Sequence, residues 1–331
     1  MTNLKLTLIC GVNDRTRPLI DGSVRPDGID LEVTIAHGSE IFWRQLTRAE
    51  FDVAEMSMSS LLIITAQDDQ RFVGLPVFTS RSFWHTLGLV RKDAGIKRPE
   101  DLKGKRVGVP EYQQTAALWT RGVLQHEFGV HPKDIEWFME RTPERSHGGA
   151  TGFKAPEGVK INFIPAEKNI GTMMASGELD ATVLYLTDPN MVDRSRLDLE
   201  SSPEITTLFP DPAAEGVRYY GKTGIFPINH GMIVKRSVLE EHPWVAINLY
   251  KAFAEARDRV AARTRELADV YFGLGLLPLE SRSVLAIDPY PYGIKANRRV
   301  LETIAEYSHE QGLTPRVVKL EQVFAPSTME L

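Results

Sequence analysis

The chain has 331 residues, a hydrophobic content of 42%, a charged content of 25% and a formal net charge of −5. This length allows two lobes of ordinary size, and this composition is typical of a soluble globular protein. The mild negative charge argues against a nucleic-acid-binding surface, and no apolar run approaches the ~20 residues needed to span a bilayer. The single cysteine, Cys10, excludes an internal disulfide and suits a reducing compartment.

The amino-terminal sequence MTNLKLTLICGVND does not resemble a secretory leader. It has no basic segment, no long apolar segment and no small-residue cleavage site. The run from Leu4 to Cys10 alternates apolar and polar residues, which predicts a first strand instead. We therefore expect a cytoplasmic protein.

Predicted strands and helices alternate along the chain. Strands are predicted at 4–10, 29–36, 51–55, 72–78, 105–110, 158–166 and 180–186. Helices are predicted at 39–49 with Ser39 as N-cap, at 59–66, from Gln114 onward, and at 170–179, 244–266 and 294–311. This alternation predicts an α/β fold with mostly parallel sheets flanked by helices.

Two internal similarities indicate two related lobes. EFDVAEMSM (50–58) resembles ELDATVLYL (178–186), and HTLGLVRKD (85–93) resembles HGMIVKRSV (230–238). We predict two lobes joined by two crossing strands, with a ligand cleft between them. Lobe 1 comprises 1–90 plus 236–331, and lobe 2 comprises 91–235. The segment 141–158 is rich in Gly, Pro and charge, which predicts a mobile loop on lobe 2.

Several longer motifs together resemble one family. They are DRT (14–16), FDVAEMSMSS (51–60), TSRSFWH (79–85), GKRVGVPEYQQTAALWTRGVL (104–124), KTGIFPINH (222–230), PWVAINLYKAF (243–253) and HEQGLTPR (309–316). The set resembles the 4,5-dihydroxyphthalate decarboxylase family, which uses the type II periplasmic-binding-protein fold for catalysis. The resemblance implies that fold and an aromatic-acid substrate. One departure is Trp84, which stands where the family pattern has arginine and so removes an anion contact.

Polar residues at the carboxyl ends of predicted strands form the candidate site, because ligands of open α/β sheets bind there. Glu55 ends its strand and can point into the cleft, while Ser57 begins the next helix. Arg15 and Arg81 are predicted to bind substrate carboxylates through guanidinium forks. The structural alternatives are that Glu55 only pairs with an arginine and that Ser57 is only an N-cap.

His85 and His230 lead the two predicted crossing strands, and a histidine can titrate near neutral pH. We predict both, with Glu55, as catalytic residues. Asn229, beside His230, is predicted to bind substrate. So are Gln114 and Thr115, where a strand turns into a helix whose N-terminus attracts anions.

The sequence contains no nucleotide-binding motif and no Cys/His cluster with zinc spacing. We therefore expect no organic cofactor. A divalent metal is left open, and its ligands would come from His85, Glu55, His230 or His37. The expected partner is a small aromatic carboxylate rather than nucleic acid or a membrane, and a homo-oligomer is left open.

The predicted reaction is cofactor-independent or metal-assisted decarboxylation, most directly of 4,5-dihydroxyphthalate. The proton donor would be His85 or His230, with Glu55 orienting a histidine or a substrate hydroxyl; the alternative donor is Glu55 with a raised pKa. Three alternatives are a solute-binding protein without activity, a decarboxylase of another hydroxylated benzoate, and a thiamine-precursor enzyme on the same fold. A thiamine-precursor enzyme would need a nucleophilic residue. The single cysteine, Cys10, lies on the first predicted strand and is predicted to be a core residue instead.

Overall fold

Residues 2–331, the part of the chain that the computed structural model describes, form eleven strands and twelve α-helices. The strands are β1 (Leu4–Cys10), β2 (Ile29–Ile35), β3 (Val53–Ser57), β4 (Phe72–Arg81), β5 (Leu89–Arg91), β6 (Arg106–Val109), β7 (Glu136–Met139), β8 (Lys160–Phe163), β9 (Ala181–Thr182), β10 (Ile205–Thr207) and β11 (Ile228–Lys235).

The helices are α1 (Arg17–Ile20), α2 (Gly38–Arg48), α3 (Met58–Ala66), α4 (Thr115–Phe128), α5 (His147–Thr151), α6 (Ile170–Ala175), α7 (Pro212–Thr223), α8 (Arg236–Glu241), α9 (Val245–Gly273), α10 (Ser281–Leu285), α11 (Arg298–Glu310) and α12 (Leu320–Val323). Short 3-10 helices lie at Trp84–Leu87, Lys92–Ala94, Pro99–Leu102, Pro132–Asp134, Pro143–Arg145, Lys295–Asn297 and Pro326–Thr328.

The strands form two mixed sheets. The first has the order β2-β1-β3-β11-β4, with β1 parallel to both β2 and β3 and with β11 antiparallel to its neighbours. The second has the order β10-β5-β9-β6-β7-β8, in which β9, β6, β7 and β8 are parallel and β5 is antiparallel to β9 and β10. Helices flank both sheets, so the predicted two-lobed α/β class is confirmed.

The chain passes between the sheets through helical segments rather than continuous strands. It leaves β4 through the 3-10 helix Trp84–Leu87 to reach β5, and returns through α7 to reach β11. Because β11 hydrogen-bonds to β3 and β4, it belongs to the first sheet. The predicted lobe boundary at 235 was therefore wrong at this end, since the return to the first sheet comes before Ile228.

Two other local predictions were wrong. The N-cap of α2 is His37, whose Nδ1 accepts from the Ser39 amide at 3.3 Å, and Ser39 lies inside the helix. The segment 141–158 is not a continuous loop, because Arg141, Ser146 and His147 are buried and α5 begins within it. Of its glycines only Gly148 is buried, against Glu111 and Phe153, whereas Gly152 and Gly158 have open space around them.

The carboxyl-terminal helices pack against both lobes. The first half of α9 packs on β4, and α11 contacts α3 and α4. The Trp119 indole on α4 donates to the Ile228 carbonyl on β11 at 2.9 Å, which ties the second lobe to the returning strand. Within residues 2–331, no helix is long and apolar enough to cross a membrane.

Candidate active site

A cavity of about 280 Å³ lies beside the carboxyl-terminal ends of β1 and β3. Its lining is Gly11, Val12, Asn13, Arg15, Gly38, Glu55, Thr79, Ser80, Arg81, His230 and Tyr290. This volume is close to the lower end of the ~300–1,000 Å³ typical of small-molecule sites. The cavity therefore suits a ligand with a single ring.

Glu55 and His230 form a hydrogen-bonded pair in the wall of this cavity. His230 Nδ1 lies 2.9 Å from Glu55 Oε1, the Thr79 hydroxyl donates to the same oxygen at 2.7 Å, and the Gly11 amide donates to Oε2 at 2.9 Å. Burial alone would raise the pKa of Glu55, but these hydrogen bonds and the His230 charge outweigh it and lower the pKa to about 2. The carboxylate is therefore ionised at neutral pH.

An ionised Glu55 determines which nitrogen of His230 is free. A carboxylate only accepts hydrogen bonds, so Nδ1 must carry the proton that it donates to Glu55. Among residues 2–331, Nε2 has no hydrogen-bond partner, and Phe42 packs edge-to-face on the ring at 4.7 Å. The pair thus fixes the orientation and tautomer of His230 and leaves Nε2 available for a ligand.

Arg15 reaches the same cavity from the loop after β1. Its Nη2 donates to the Thr79 carbonyl at 2.9 Å, and the guanidinium lies 3.7 Å from the centre of the Tyr290 ring. Its buried Nε has no hydrogen-bond partner among the residues described. Arg15 is therefore held in place while part of its donor capacity is unused, as a carboxylate-binding arginine requires.

Arg81 also borders the cavity, but its guanidinium is engaged elsewhere. It donates to the carbonyls of Phe226 at 3.1 Å and Pro291 at 3.0 Å, and to the side-chain oxygen of Asn297. Burial lowers its pKa to about 10. These contacts cross-link β4, the returning chain and the 288–297 segment, so the structure gives Arg81 a positioning role rather than the predicted carboxylate contact.

Ser57 and Thr115 contact each other instead of the cavity. Their hydroxyls are 2.7 Å apart, and the Thr115 hydroxyl also accepts from the Ser59 amide at 2.9 Å. The Ser59 hydroxyl donates to the Gln113 carbonyl at 2.6 Å. Because one partner of each bond ends β3 or lies on α3 and the other precedes or begins α4, these contacts join the lobes in this conformation.

Asn229 and Gln114 retain unused hydrogen-bonding capacity. Asn229 is buried, yet neither its side-chain oxygen nor its nitrogen has a partner within residues 2–331. The buried Oε1 of Gln114 is likewise unpaired. A buried amide without partners is costly, so both residues stay candidates for ligand contact. Asn229 directly precedes His230 on β11, where the pairing of β11 with β4 is irregular.

His85 does not contact the Glu55–His230 pair and has Glu215 as its acidic neighbour. It is buried on a 3-10 helix, with Nε2 3.3 Å from Glu215 Oε1 and with Phe83, Phe209 and Tyr219 around its ring. Burial outweighs the Glu215 charge and lowers the pKa of His85 to about 4. This environment is that of a neutral hinge residue.

A larger groove of about 580 Å³ lies near this hinge, between Phe83 and α7. Its lining includes Gly216, Val217 and Tyr220 and contains no charged side chain. The smaller cavity combines a cationic Arg15 with the Glu55–His230 pair, which suits carboxylate binding and proton transfer, so we assign the candidate active site to it.

The predicted metal ligands do not come together. Glu55 and His230 are in contact, but His85 lies beside Glu215 and His37 caps α2. Within residues 2–331, no three His, Cys, Asp or Glu side chains are grouped to hold a metal ion. His85, Glu55, His230 and His37 therefore do not form a common metal site in this conformation.

A buried ion-pair cluster between the lobes was missed. Arg141 pairs with Asp193 at 2.6 Å and with Glu111 at 2.9 Å, and it donates to the Ser39 hydroxyl on α2 at 2.7 Å. His147 packs beside it, and burial lowers the pKa of this histidine. The partners of Arg141 are 30 to 102 positions away in the chain, so no local pattern indicates the cluster.

Thr79, Gly11 and Tyr290 were also missed as site residues. The first two hold the Glu55 carboxylate, and Tyr290 covers Arg15. The proline-flanked DPYPYG segment (288–293) could have indicated an ordered aromatic loop. Nothing in the sequence places that loop against a residue 275 positions earlier.

Comparisons with known proteins agree with this fold. The chain is 35% identical to a 4,5-dihydroxyphthalate decarboxylase of Comamonas testosteroni over 100% of this chain and 99% of that protein. It is 36% identical to a 4,5-dihydroxyphthalate decarboxylase of Pseudomonas putida over 66% of this chain and 83% of that one. Residues 15–151 match the family described as ABC transporter, phosphonate, periplasmic substrate-binding protein.

Among solved structures, the alkanesulfonate-binding protein SsuA from Xanthomonas axonopodis pv. citri, bound to MOPS, is similar in fold. Its TM-score is 0.54 at 13% identity, covering 99% of this chain and 98% of that one. The desulfurization enzyme DSZB has a TM-score of 0.51 at 14% identity, with the same coverage. These similarities confirm the periplasmic-binding-protein fold. Together with the full-length sequence identity, they show that the chain belongs to the 4,5-dihydroxyphthalate decarboxylase family.

Proposed function

We propose that this protein decarboxylates a hydroxylated aromatic acid, with 4,5-dihydroxyphthalate as the leading substrate and 3,4-dihydroxybenzoate and CO2 as products. One observation carries the proposal. An ionised Glu55 orients His230 in a small cavity that also contains Arg15, in a chain that belongs to a decarboxylase family.

Loss of CO2 from an aromatic ring needs a place for the electrons of the breaking bond. In 4,5-dihydroxyphthalate each carboxylate is para to one hydroxyl. Electron density from a phenolate can move to the carbon that bears the carboxylate, and an acid can protonate that carbon. The C–C bond to the carboxylate then breaks, its electrons restore the aromatic ring and the phenolate, and CO2 leaves.

We assign the proton donor to Nε2 of a protonated His230. Glu55 accepts from Nδ1 at 2.9 Å, which directs Nε2 away from the carboxylate and stabilises the imidazolium. Glu55 itself is a poor acid, because its pKa is lowered to about 2. The expectation of a raised Glu55 pKa was therefore wrong, and the carboxylate is a positioning residue.

We assign carboxylate binding to Arg15, whose guanidinium is anchored by the Thr79 carbonyl and covered by Tyr290. A substrate carboxylate there would meet a fixed positive charge inside a partly closed cavity, where charge-assisted hydrogen bonds are strong. The buried amide of Asn229 is a further candidate contact once the lobes separate and close on a ligand.

The test is turnover of 4,5-dihydroxyphthalate by purified protein, with CO2 measured directly and the product identified by mass. In D2O we expect 3,4-dihydroxybenzoate with one deuterium on the ring carbon that lost the carboxylate. Phthalate, which lacks the hydroxyls, should bind without releasing CO2. A parallel assay with chelator decides whether a divalent metal takes part.

Matched variants assign the chemistry. His230→Gln should abolish most turnover, whereas His126→Gln, a change on the outer face of α4, should not. Retained activity when both His230 and His85 are changed to Gln would exclude both of these histidines as the proton donor. Saturable binding of the acid with no CO2 release would instead support the solute-binding alternative. If the protein decarboxylates another hydroxybenzoate but not 4,5-dihydroxyphthalate, the substrate assignment would change to that acid. Trp84 would then be the residue that explains the difference from the family.

A further inference from the structure

A helical arm projects from the first lobe and carries an unusual amount of exposed apolar surface. The arm comprises residues 262–287, which are the second half of α9, the following turn and α10. Its exposed large apolar side chains are Leu267, Val270, Tyr271, Leu274, Leu276, Leu279, Val284, Leu285 and Ile287. These nine are nearly half of the nineteen such side chains exposed among residues 2–331.

The spacing on α9 is that of a packing face. Leu267, Val270, Tyr271 and Leu274 follow the i, i+3, i+4, i+7 pattern that places apolar residues on one side of a helix. In the first half of α9 such a stripe is buried against the body of the protein, but in the arm this stripe faces outward. A helix stripe with this pattern normally packs on a partner.

The two helices of the arm contact each other. Arg282 on α10 pairs with Asp269 on α9 at 3.1 Å and lies 5.0 Å from the centre of the Phe272 ring. At the base of the arm, Arg257 is 3.6 Å from Asp288. The exposed stripe is therefore presented by two helices that pack on each other through Arg282 and Phe272.

The size of this surface fits a second protein chain. Burying a large apolar side chain contributes about 1.5–3 kcal/mol, and each Å² of buried apolar surface contributes about 25 cal/mol. One such side chain therefore has roughly 60–120 Å² of apolar surface. The nine side chains are exposed by 36 to 69%, so the arm offers about 500 Å² of apolar surface. Two arms facing each other would bury about 1,000 Å² of apolar surface, which reaches the size of a specific interface.

The charge of the arm favours a second copy of the same chain over a lipid surface. Residues 262–287 contain three arginines and three acidic residues, so their formal net charge is zero. Two identical neutral surfaces can pair without mutual repulsion, and the opposite charges can match across a twofold axis. A membrane-binding helix instead carries an excess of Lys and Arg.

We propose that the arm is a homodimer interface, in which the α9–α10 stripe of one subunit packs on the same stripe of a second copy. This surface is distinct from the cavity, so the proposed dimer does not depend on the reaction that we assign to the cavity. The arm leads directly into the segment 288–292, which carries Tyr290 over Arg15.

The first test is sedimentation equilibrium of the full chain from about 1 to 50 μM. The wild-type protein should have the mass of at least two chains. The double variant Val270→Asp/Leu274→Asp should raise the dissociation constant by about 100-fold or more, because the interface would bury four carboxylates. The control Val217→Asp, at a site on α7 that is 75% exposed, should not. A monomeric wild type, or an arm variant with wild-type mass, would overturn the proposal.

The second test locates the contact even if other surfaces also assemble. Cys10 is fully buried, so Leu274→Cys adds a single accessible thiol. A short bismaleimide should then link two chains through this position, whereas Val217→Cys should give no linked pair. Absence of a Leu274→Cys crosslink would contradict arm-to-arm packing. Arm-dependent flotation of a monomeric wild type with phosphatidylserine vesicles would assign the arm to membranes instead.

Discussion

Replacing Glu55 by Gln tests whether this carboxyl is ionised and strongly hydrogen-bonded in the folded protein. Its pKa is lowered from the ordinary value of 4.5 to about 2. A lowered acid pKa gives stability that is present above about pH 4.5 and is lost as the pH falls toward 2. The shift corresponds to about 3 kcal/mol at neutral pH, and linkage predicts that about a quarter of this is lost by pH 4 and about two fifths by pH 3.5.

The assay is urea unfolding of the wild type and of Glu55→Gln at several pH values from 7 to 3.5. The difference in unfolding free energy reports on Glu55 together with its contact to His230, since the remaining titrating groups are common to both proteins. We expect that difference to shrink by the amounts above. Glu302→Gln, on the exposed side of α11, is the control and should give a small difference at neutral pH. A Glu55 difference that stays constant from pH 7 to 3.5 would refute the hydrogen-bonded, ionised state.

Three further predictions concern catalysis and packing. His230→Gln should lower kcat by about 10²–10⁴, whereas His85→Gln should keep kcat within about tenfold in the same CO2-release assay; equal losses would contradict the assignment. Arg141→Met should cost about 3–5 kcal/mol in urea unfolding at pH 7, because it leaves two buried carboxylates uncompensated; an unchanged midpoint would show that the cluster is not closed in solution. Gly122→Ala should cost about 1–3 kcal/mol, because its Cβ would lie 2.1 Å from a tyrosine ring carbon on α11. Gly221→Ala on α7 has open space and should cost nothing when both glycine variants are compared with the wild type by urea unfolding.

The fold class was predictable because its signals are local. Alternating apolar residues marked β1 from Leu4 to Cys10, and the apolar run in β3 marked a strand buried along its whole length. These patterns repeat the 2.0 and 3.6 periods of strands and helices, which do not depend on distant residues. The lobe to which β11 belongs was not predictable, because that depends on hydrogen bonds to β3 and β4.

The candidate site was predictable only in part, for the same reason. Glu55 stood out in the sequence as a carboxylate inside an apolar strand, and its contact with His230 follows from pairing strands that are 175 residues apart. The two histidines had similar sequence contexts, yet one borders the cavity and the other is buried beside Glu215.

The sequence by itself determined the residue types, the alternating elements and the family, since these are carried by composition, periodicity and motif. Only the tertiary structure decided which polar groups meet. In the folded protein the hydroxyls of Ser57 and Thr115 are in contact, and Arg81 donates to main-chain carbonyls. The Nε of Arg15 has no hydrogen-bond partner among the described residues. The physical reason is that a buried polar group must be satisfied by whichever partner the packed chain brings within about 3 Å, and sequence distance does not limit that choice.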